Sequence, residues 1–479
     1  MSQSIPAKIV RLGKKDPYFV TPLVRMLLNK RRALRRRCRS AEADALSVKI
    51  NVIINNVHSD SLRKLSSSSP RALWSHINPK FRPLSTDNTF FTADVLNDYF
   101  ATISTGPSVR PDTYVGQHSY SDQANFSDSF IERILRQIKT TSTGWDGLPS
   151  WLFRKCSVEL DPVVAHLVNF SINSGTVPDI WRTAVVTPVP KVSHPTSPGD
   201  YRPISVTPIL SRLTEKLIVK TWLYPAIPPE HLTDQYGFKP TGSTTAALIH
   251  IFHTVTKMLE HSSYVRALLI DFSKAFDVVD HEVIMKKLAE LHLPTNIFNW
   301  IGAFLSKRSQ VCRHGGTVSG LVEFNRGFIQ GSGIGPSLFI VLALDLKTLS
   351  PLNSLVKFAD DSTLLVPQGS DVDLSSEFSF IQSWAVLNSM IINLAKTKEI
   401  IFYNPRSVMP QLPLPLPGID QVESAKLLGV YIQNNLRFDM HLKHILTVSS
   451  QRLHILKVLK RRGLCLNLLH EVFYALVVS

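Results

Sequence analysis

The sequence has little cysteine and no long apolar run. Its 479 residues include four cysteines, each more than a hundred residues from the next. That spacing excludes a disulfide framework and a zinc site built from closely spaced cysteines. The first residues lack the apolar segment of a secretory signal. The longest apolar runs, 338–344 and 472–478, are far shorter than the roughly 20 residues that cross a membrane. We therefore expect an intracellular protein with no membrane partner.

Positive charge is in excess and unevenly distributed. Lys and Arg number 53 against 37 Asp and Glu, a net charge of +16. The first 50 residues supply ten of these sixteen charges, concentrated in 29–39 (NKRRALRRRCR). Such a block is typical of a solvated tail or a nuclear-import signal. It also suits neutralisation of a nucleic-acid backbone, and the interleaved leucines favour a basic helix.

Several segments indicate a mixed α+β chain. We predict a Ser-rich linker or helix-capping loop at 59–70, a surface connection at 104–128 and a buried strand at 265–271. Two helices broken at a proline are predicted at 282–307, a hairpin at 355–366 and a proline-rich loop at 405–417. The strand and the hairpin follow from short apolar runs, and the helix break follows from Pro294.

Three acids each adjoin an apolar, strand-like run. Asp271 ends one such run, and Asp360 and Asp361 form the polar centre of the hairpin. Any one of them alone is explained by a solvent-exposed turn, where Asp is common. Together, a strand-end acid and a hairpin pair can converge on divalent cations. Mg²⁺ prefers a few carboxylates plus substrate phosphates, an arrangement that serves phosphoryl transfer.

An ordered set of short motifs extends this pattern over about 300 residues. They are 144–149 (GWDGLP), 200–205 (DYRPIS), 235–238 (QYGF), 271–281 (DFSKAFDVVDH), 327–339 (GFIQGSGIGPSLF), 358–361 (FADD), 393–398 (NLAKTK) and 427–430 (LLGV). The chain resembles the reverse transcriptases of non-LTR (LINE-like) retrotransposons. In that resemblance, 271–281, 327–339, 358–361 and 393–398 are motifs A, B, C and D, and 427–430 lies in the primer-grip region.

The resemblance implies a set of metal ligands. Asp271, Asp360 and Asp361 would be the catalytic acids and would bind two Mg²⁺ ions, with Mn²⁺ as a possible substitute. The backbone carbonyl of Phe272 would be a further ligand. Hard cations held by acids suit a reaction that activates a 3′-hydroxyl and releases pyrophosphate.

The resemblance also implies basic residues around the incoming nucleotide. Lys191 and Arg202 would bind its triphosphate from the fingers. Lys396 would protonate the leaving pyrophosphate, although the neighbouring Lys398 is a competing candidate. Taken singly, each is equally explained as a surface charge or a solvated helix end.

Two further positions would bind the nucleotide itself. Phe276 would lie under the sugar and exclude a 2′-hydroxyl, or it is a plain core residue. Gln330 with Gly331 would approach the nucleotide and template, or the glycine-rich run is a simple turn. Asp277 and Asp280 are expected to cap the following helix.

The resemblance implies a right-hand polymerase fold with an antiparallel palm sheet. We expect a basic, mainly helical extension over 1–128 and a helical segment over 129–179. Fingers and palm would occupy 180–432 and a partial thumb 433–479. The endonuclease domain that complete elements carry would be absent, so that this activity would have to come from elsewhere.

The expected function is that of an RNA-directed DNA polymerase copying element RNA by target-primed reverse transcription. Its partners would be an RNA template, a DNA primer and deoxynucleoside triphosphates. It would act in the nucleus, the cytoplasm or both, as a ribonucleoprotein. Two alternatives stay open: an RNA-binding remnant without catalysis, and a reverse transcriptase of the group II intron type.

Overall fold

The computed structural model describes residues 19–68, 91–106, 122–404 and 412–478. The chain divides into two compact units. One combines Met1–Ser85 with His441–Ser479, and the other is Thr86–Met440.

Helices occur throughout both units. In chain order they are α1 (Pro22–Arg36), α2 (Ser40–Ser68), α3 (Ala93–Ile103), α4 (Asp128–Arg136), α5 (Ser150–Lys155), α6 (Ser157–Ser174), α7 (Asp179–Arg182), α8 (Ile209–Ile218), α9 (Thr244–His261), α10 (His281–Ala289), α11 (Thr295–Leu305), α12 (Gly335–Leu342), α13 (Leu374–Leu387), α14 (Asp439–Arg461) and α15 (Leu466–Phe473). The break at Pro294, between α10 and α11, is where the sequence predicts it.

The strands all belong to the larger unit. They are β1 (Thr183–Pro190), β2 (Tyr201–Val206), β3 (Tyr264–Ile270), β4 (Arg308–His314), β5 (Thr317–Val318), β6 (Val322–Phe324), β7 (Ser354–Phe358), β8 (Asp361–Pro367), β9 (Lys398–Tyr403), β10 (Asp420–Gln421), β11 (Ser424–Leu427) and β12 (Val430–Gln433). One sheet has the order β2-β1-β4-β5, with β6 also paired to β4, and a second has the order β10-β9-β3-β8-β7. Strands β11 and β12 form a separate hairpin. The α+β prediction is confirmed.

The second sheet carries the predicted acids, and we call it the palm sheet. Its central strand β3 pairs antiparallel with β8 on one side and β9 on the other. Strand β3 buries apolar side chains on both faces of the sheet: Leu268 and Ile270 belong to one core cluster, and Val265 and Ala267 belong to another. Strands β7 and β8 form the predicted hairpin.

The smaller unit contains the basic helix. The side-chain oxygen of Thr21 caps α1 by accepting a hydrogen bond from the Val24 amide, and Pro22 occupies the first helical turn. Val24 on α1 is buried, as are Ala43 and Ile50 on α2. These apolar contacts stabilise the pair of helices, and the prediction of a basic helix is confirmed.

Two predicted connections differ from the structure. Residues 59–68 are helical as part of α2, so a linker there is wrong; residues 69 and 70 lie outside the described residues. The Ser59 hydroxyl donates to the carbonyl of Arg462 at 2.8 Å, a contact between distant residues that local composition does not reveal. Within 104–128, residues 107–121 lie outside the described residues.

Part of the second connection is packed rather than exposed. Ala124 is buried, and its amide donates to the side chain of Asn173 at 2.7 Å. The Phe126 amide donates to Asn169 at 2.9 Å. Both asparagines lie on α6, so residues 122–126 follow that helix. Of the proline-rich loop 405–417, residues 405–411 also lie outside the described residues.

Helix α3 belongs with the larger unit, where Asn97 donates to the Gly320 carbonyl and accepts from Gln310 on β4. All four cysteines are unpaired, as expected. No helix in the described ranges is long and apolar enough to cross a membrane.

Candidate active site

Asp271 follows the last residue of the central strand of the palm sheet. Its backbone carbonyl accepts a hydrogen bond from the Asn393 amide at 2.8 Å, and the Ser273 amide donates to the Ile391 carbonyl at 2.7 Å. These bonds tie the chain after β3 to the segment before β9. The position of Asp271 is therefore fixed by backbone contacts on its C-terminal side.

Asp360 and Asp361 lie at the tip of the β7–β8 hairpin. Ala359 has a positive φ of 56° and starts the tight turn between Phe358 and Asp361. Ile270 pairs with Ser362 in the β3–β8 ladder. Because Asp271 follows Ile270 and Asp361 precedes Ser362, the antiparallel register places Asp271 and Asp361 side by side.

The three carboxylates influence one another electrostatically. Burial raises the pKa of Asp361 to about 6, and the charges of Asp360 and Asp271 add to that shift. Burial also raises the pKa of Asp360, with Asp271 contributing, while hydrogen bonding and the nearby cations Arg202 and Lys396 lower it. Like charges collected in a partly desolvated place are unfavourable unless a cation compensates them.

The carboxylate of Asp271 has a free coordination position. Its Oδ2 atom is buried without a hydrogen-bond partner, and the Lys396 ammonium lies 3.7 Å from it. Among the described residues, no three His, Cys, Asp or Glu side chains are already grouped to hold a metal ion. The site is therefore not a closed cage. Its donors fit Mg²⁺ in chemistry: hard carboxylate oxygens, one of them buried without a hydrogen-bond partner.

Strands β1 and β2 bring two predicted basic residues to the same side of the unit. Val189 pairs with Arg202, and the Lys191 amide donates to the Asp200 carbonyl at 2.7 Å. The Lys191 ammonium donates to the Gly199 carbonyl at 2.8 Å. Burial lowers the pKa of Lys191, and the positive charge of Arg202 lowers it further. Two cations held this close favour an anionic ligand.

The glycine-rich segment 327–335 forms a loop against β2. The Ser205 amide donates to the Gln330 carbonyl at 2.9 Å. Gly331 has a φ of +124°, and a Cβ there would lie 2.3 Å from the Ser205 carbonyl oxygen. Only glycine meets both requirements. Further along the loop, the amides of Gly333 and Ile334 donate to the buried carboxylate of Glu215.

Phe276 lies in an aromatic cluster and is only half-buried. Its ring stacks on Phe339 with 4.8 Å between centroids and meets the edges of Phe238 and Phe328 at 5.7 and 6.4 Å. Phe272 is buried and packs edge-on against Trp384. The side chain of Phe272 therefore belongs to the core, which leaves only its backbone for the predicted role.

Asp277 has a role that the sequence does not predict. Asp280 does cap α10, since its carboxylate accepts from the Glu282 amide at 2.8 Å. Asp277 instead accepts a hydrogen bond from the Gln330 side chain at 2.7 Å, so its predicted capping role is wrong. No local signal distinguishes the two acids, because Gln330 is 53 residues away.

A cleft of about 350 Å³ opens beside the acids. Asp271 and Asp361 line one side, Lys396 and Lys398 another, and residues 424–428 a third. Segments of the predicted motifs A, C and D and of the primer-grip region thus meet at one cleft. Lys398 forms a 2.6 Å ion pair with Asp420, whereas Lys396 faces Asp271. The arrangement suits Lys396 better than Lys398 for contact with a bound anion.

Acidic strand ends beside clustered cations are typical of enzymes that transfer phosphoryl groups with metal assistance. Residues 189–432, just over half of the chain, match the family described as reverse transcriptase (RNA-dependent DNA polymerase). The chain belongs to that family. The predicted right-hand polymerase fold is confirmed with it.

Three curated relatives are polymerases of mobile elements in Drosophila melanogaster. The RNA-directed DNA polymerase from mobile element jockey is 26% identical over 59% of this chain and 32% of its own length. The probable polymerases from transposon X-element and transposon BS are 25% and 26% identical over 66% and 69% of this chain, and 36% and 39% of theirs. The chain thus spans about a third of their length. The predicted LINE-like resemblance is confirmed.

Solved telomerase structures show a more distant likeness. Apo telomerase from Candida tropicalis aligns with a TM-score of 0.38 at 11% identity, over 55% of each chain. Telomerase from Candida albicans, in complex with a fragment of telomeric RNA, aligns with a TM-score of 0.37 at 14% identity, over 69% of this chain and 60% of its own. A likeness this distant carries no argument about the present site.

Proposed function

We propose that the chain is an RNA-directed DNA polymerase that adds deoxynucleotides to a primer 3′ end. The observation that carries the proposal is the placement of Asp271 beside the Asp360–Asp361 turn, with one buried carboxylate oxygen of Asp271 lacking a hydrogen-bond partner. Arg202 and Lys396 lower the pKa of Asp360, and both cations also act on Lys191. Nucleotide addition from triphosphates requires carboxylates that hold metal ions and, beside them, cations that bind the phosphates.

Asp271, Asp360 and Asp361 hold two divalent cations in this proposal, with the Phe272 carbonyl as an additional ligand. Mg²⁺ is the expected ion and Mn²⁺ a substitute, because both accept hard oxygen ligands. When bound, the ions lower the barrier by stabilising the attacking and leaving oxygens of an in-line displacement. The protein supplies fixed carboxylates on a rigid sheet, and substrate phosphates complete the coordination.

Lys191 and Arg202 bind the triphosphate in this proposal, and Lys396 donates a proton to the departing pyrophosphate. Support comes from the lowered pKa of Lys191, since a partly desolvated ammonium gains most from an anionic partner. Lys396 already lies 3.7 Å from Asp271, at the centre of the acids. Gln330 and Gly331 contact the nucleotide from the loop.

Phe276 selects deoxyribose by blocking the space of a 2′-hydroxyl. The stack on Phe339 holds its ring in one orientation, as a steric filter requires. The half-buried state leaves one side of the ring open for contact with a ligand. Fixed orientation and partial exposure together favour a role of Phe276 in sugar selection over a purely structural role.

The polymerase copies retrotransposon RNA from the 3′ end of a nicked DNA target. Residues 180–432 supply fingers and palm, and residues 433–479 contribute to the thumb. The exposed arginines of α1 bind RNA phosphates, consistent with a ribonucleoprotein in the nucleus, the cytoplasm or both. The element polymerases matched by the chain support this setting.

The test is primer extension on an RNA template with deoxynucleotides and Mg²⁺. Three proteins are compared: the wild type, Asp360→Asn, and the control Asp179→Asn, which changes an exposed acid on α7. We expect extension by the wild type and the control and a loss of at least 100-fold in Asp360→Asn. RNA binding at low salt without any extension would instead identify a binding remnant. Equal activity in all three would reject the assigned site.

A further inference from the structure

A short segment lies alongside the hairpin that carries the catalytic acids. Gln235 forms a parallel bridge with Lys357 on β7. The Tyr236 amide donates to the Lys357 carbonyl at 2.8 Å, and the Lys357 amide donates to the Asp234 carbonyl at 2.8 Å. Residues 234–236 therefore add one short backbone pairing to the palm sheet at the edge of β7, just before the acidic turn.

The side chain of Gln235 reaches the acidic turn itself. Its Oε1 atom accepts from the Gly237 amide at 2.9 Å and lies 3.4 Å from the amide of Ala359, which donates to it. Ala359 adopts the left-handed conformation and directly precedes Asp360. Gln235 is only 2% exposed, so its side chain is held within the core beside this turn. Without this oxygen, two buried N–H groups would lose their partner.

Close packing leaves little room for another arrangement. A Cβ on Gly237 would lie 2.3 Å from the Ala359 nitrogen and 2.9 Å from the carbonyl carbon of Phe358. The two backbones thus touch at the point where the hairpin turns. Any tilt of the turn towards residue 237 is blocked sterically, and the Gln235 oxygen opposes movement in the other direction.

The side chain of Lys357 anchors the same backbone pairing. It is 1% exposed, and its ammonium donates to the carbonyls of Ala343 and Leu346 at 2.7 and 2.9 Å. The Asp234 carboxylate lies 3.2 Å from the same nitrogen. These carbonyls follow α12, which begins in the glycine-rich loop. The contact between Gln235 and Lys357 is therefore joined to the end of that helix, close to the tip of the hairpin.

We propose that Gln235 is a positioning residue that fixes the Ala359–Asp361 turn and so sets where Asp360 and Asp361 present their carboxylates. The inference rests on the proposed polymerase function for its kinetic consequence, but its structural claim stands alone. Gln235 does not touch substrate. It acts through the amide of Ala359.

Hydrogen exchange measures the structural claim directly. The peptide covering residues 354–366 is followed by mass spectrometry in the full chain for the wild type and Gln235→Met. Methionine keeps the length of glutamine but lacks its oxygen. We expect faster exchange in this peptide for Gln235→Met than for the wild type. Exchange across β1 and β4 should not change.

The control is a second buried glutamine that lies away from the turn. Gln310 is 7% exposed and donates to Asn97 at 3.0 Å, so Gln310→Met should leave exchange in residues 354–366 unchanged. If Gln235→Met fails to fold, Gln235→Asn replaces it, because the shorter side chain withdraws the oxygen. Unchanged exchange at the turn in the folded variant would overturn the proposal, as would an equal rise throughout the unit.

Kinetics provide the second readout. Gln235→Met should lower kcat of primer extension by about 10- to 100-fold and raise the half-saturating Mg²⁺ concentration. The KM for primer–template should stay unchanged. A wild type without extension would reject the polymerase proposal while the exchange result still decides the role of Gln235. A rise in primer–template KM alone would contradict a positioning role.

Discussion

The Gln330 side-chain amide donates a hydrogen bond to the Asp277 carboxylate across 2.7 Å. The bond joins the segment after β3 to the glycine-rich loop. Burial raises the pKa of Asp277, while Gln330 and the cations Lys274 and Lys191 lower it. Because a carboxylate only accepts hydrogen bonds, the NH₂ end of the Gln330 side chain must face Asp277. The amide oxygen of Gln330 is then left for other partners.

Asp277→Leu should therefore impair nucleotide binding through Gln330. Leucine branches like aspartate, although it is larger, and it offers no acceptor, so the half-buried amide of Gln330 loses its partner. We expect the KM for deoxynucleotide to rise about 10-fold, the effect of losing one charge-assisted hydrogen bond. Steady-state primer extension at varied nucleotide concentration measures this change.

A double-mutant cycle separates this coupling from general damage. If Asp277 acts through Gln330, the double variant Asp277→Leu/Gln330→Leu should be no worse than Gln330→Leu alone, a coupling of about 1 kcal/mol or more. The control Asp179→Leu, at an exposed position on α7, should leave the KM unchanged. Strictly additive effects would mean that the two residues act independently.

The thiols should differ sharply in reactivity. Cys38 and Cys465 are exposed, whereas Cys312 is buried in β4, where burial raises the pKa of its thiol to about 12. At pH 8 only about 1 in 10⁴ of such thiols is ionised, and the thiolate is the reactive form. Alkylation with iodoacetamide followed by mass spectrometry should label Cys38 and Cys465 and spare Cys312.

Denaturation supplies the control for that experiment. In guanidinium chloride all four cysteines should be labelled, because unfolding restores an ordinary thiol pKa and removes the steric barrier. Raising the native pH from 7 to 9 should still leave Cys312 unlabelled, because its thiol stays protonated. Rapid native labelling of Cys312 would contradict the burial of β4 in the larger unit.

Local patterns were sufficient to predict the parts of the site that depend on few residues. The strand before Asp271, the β7–β8 hairpin and the helix break at Pro294 each follow from a short run of apolar residues or one proline. The order of the motifs then indicated the family. The structure adds that the β3–β8 register brings Asp271 next to Asp361, which motif spacing alone does not contain.

Contacts between distant residues explain what sequence could not provide. Asp277 resembles a helix cap until its partner 53 residues later is known, and Gln235 reaches Ala359 across 124 residues. The serines of 59–68 suggested a linker because serine favours caps and turns. Helix α2 continues there nevertheless, and Ser59 bonds to Arg462 of the same unit. Tertiary contacts can override weak local preferences.

Phe276→Val should relax discrimination against ribonucleotides. Valine removes most of the ring that blocks a 2′-hydroxyl, so the ratio of kcat/KM for a deoxynucleotide to that for its ribonucleotide should fall at least 10-fold. The loss of the stack on Phe339 should also lower the free energy of unfolding by about 1 kcal/mol. Primer extension with each nucleotide and chemical denaturation measure the two effects.

The stacking partner offers a matched control. Phe339 is buried, so Phe339→Val should lower stability in the same way but relax sugar discrimination less than Phe276→Val, because the Phe276 ring itself is still present. Should both variants relax discrimination equally, general loosening of the aromatic cluster would explain the effect. Should neither do so, Phe276 is a core residue, the other interpretation of this position.

The basic helix α1 should give RNA binding its salt dependence. Lys30, Arg32, Arg36 and Arg37 are exposed on α1 and the residue that follows it. Each contact with a phosphate of single-stranded RNA contributes about 0.7 to the slope of log affinity against log salt. Replacing all four with glutamine should reduce that slope by up to about 3 and weaken binding most at low salt. Fluorescence anisotropy between 50 and 300 mM KCl measures the slope.

The control replaces four exposed lysines of the larger unit, which removes the same charge. They are Lys139, Lys155, Lys220 and Lys257. A slope lowered equally by both sets would show that net charge, and not α1, binds the RNA.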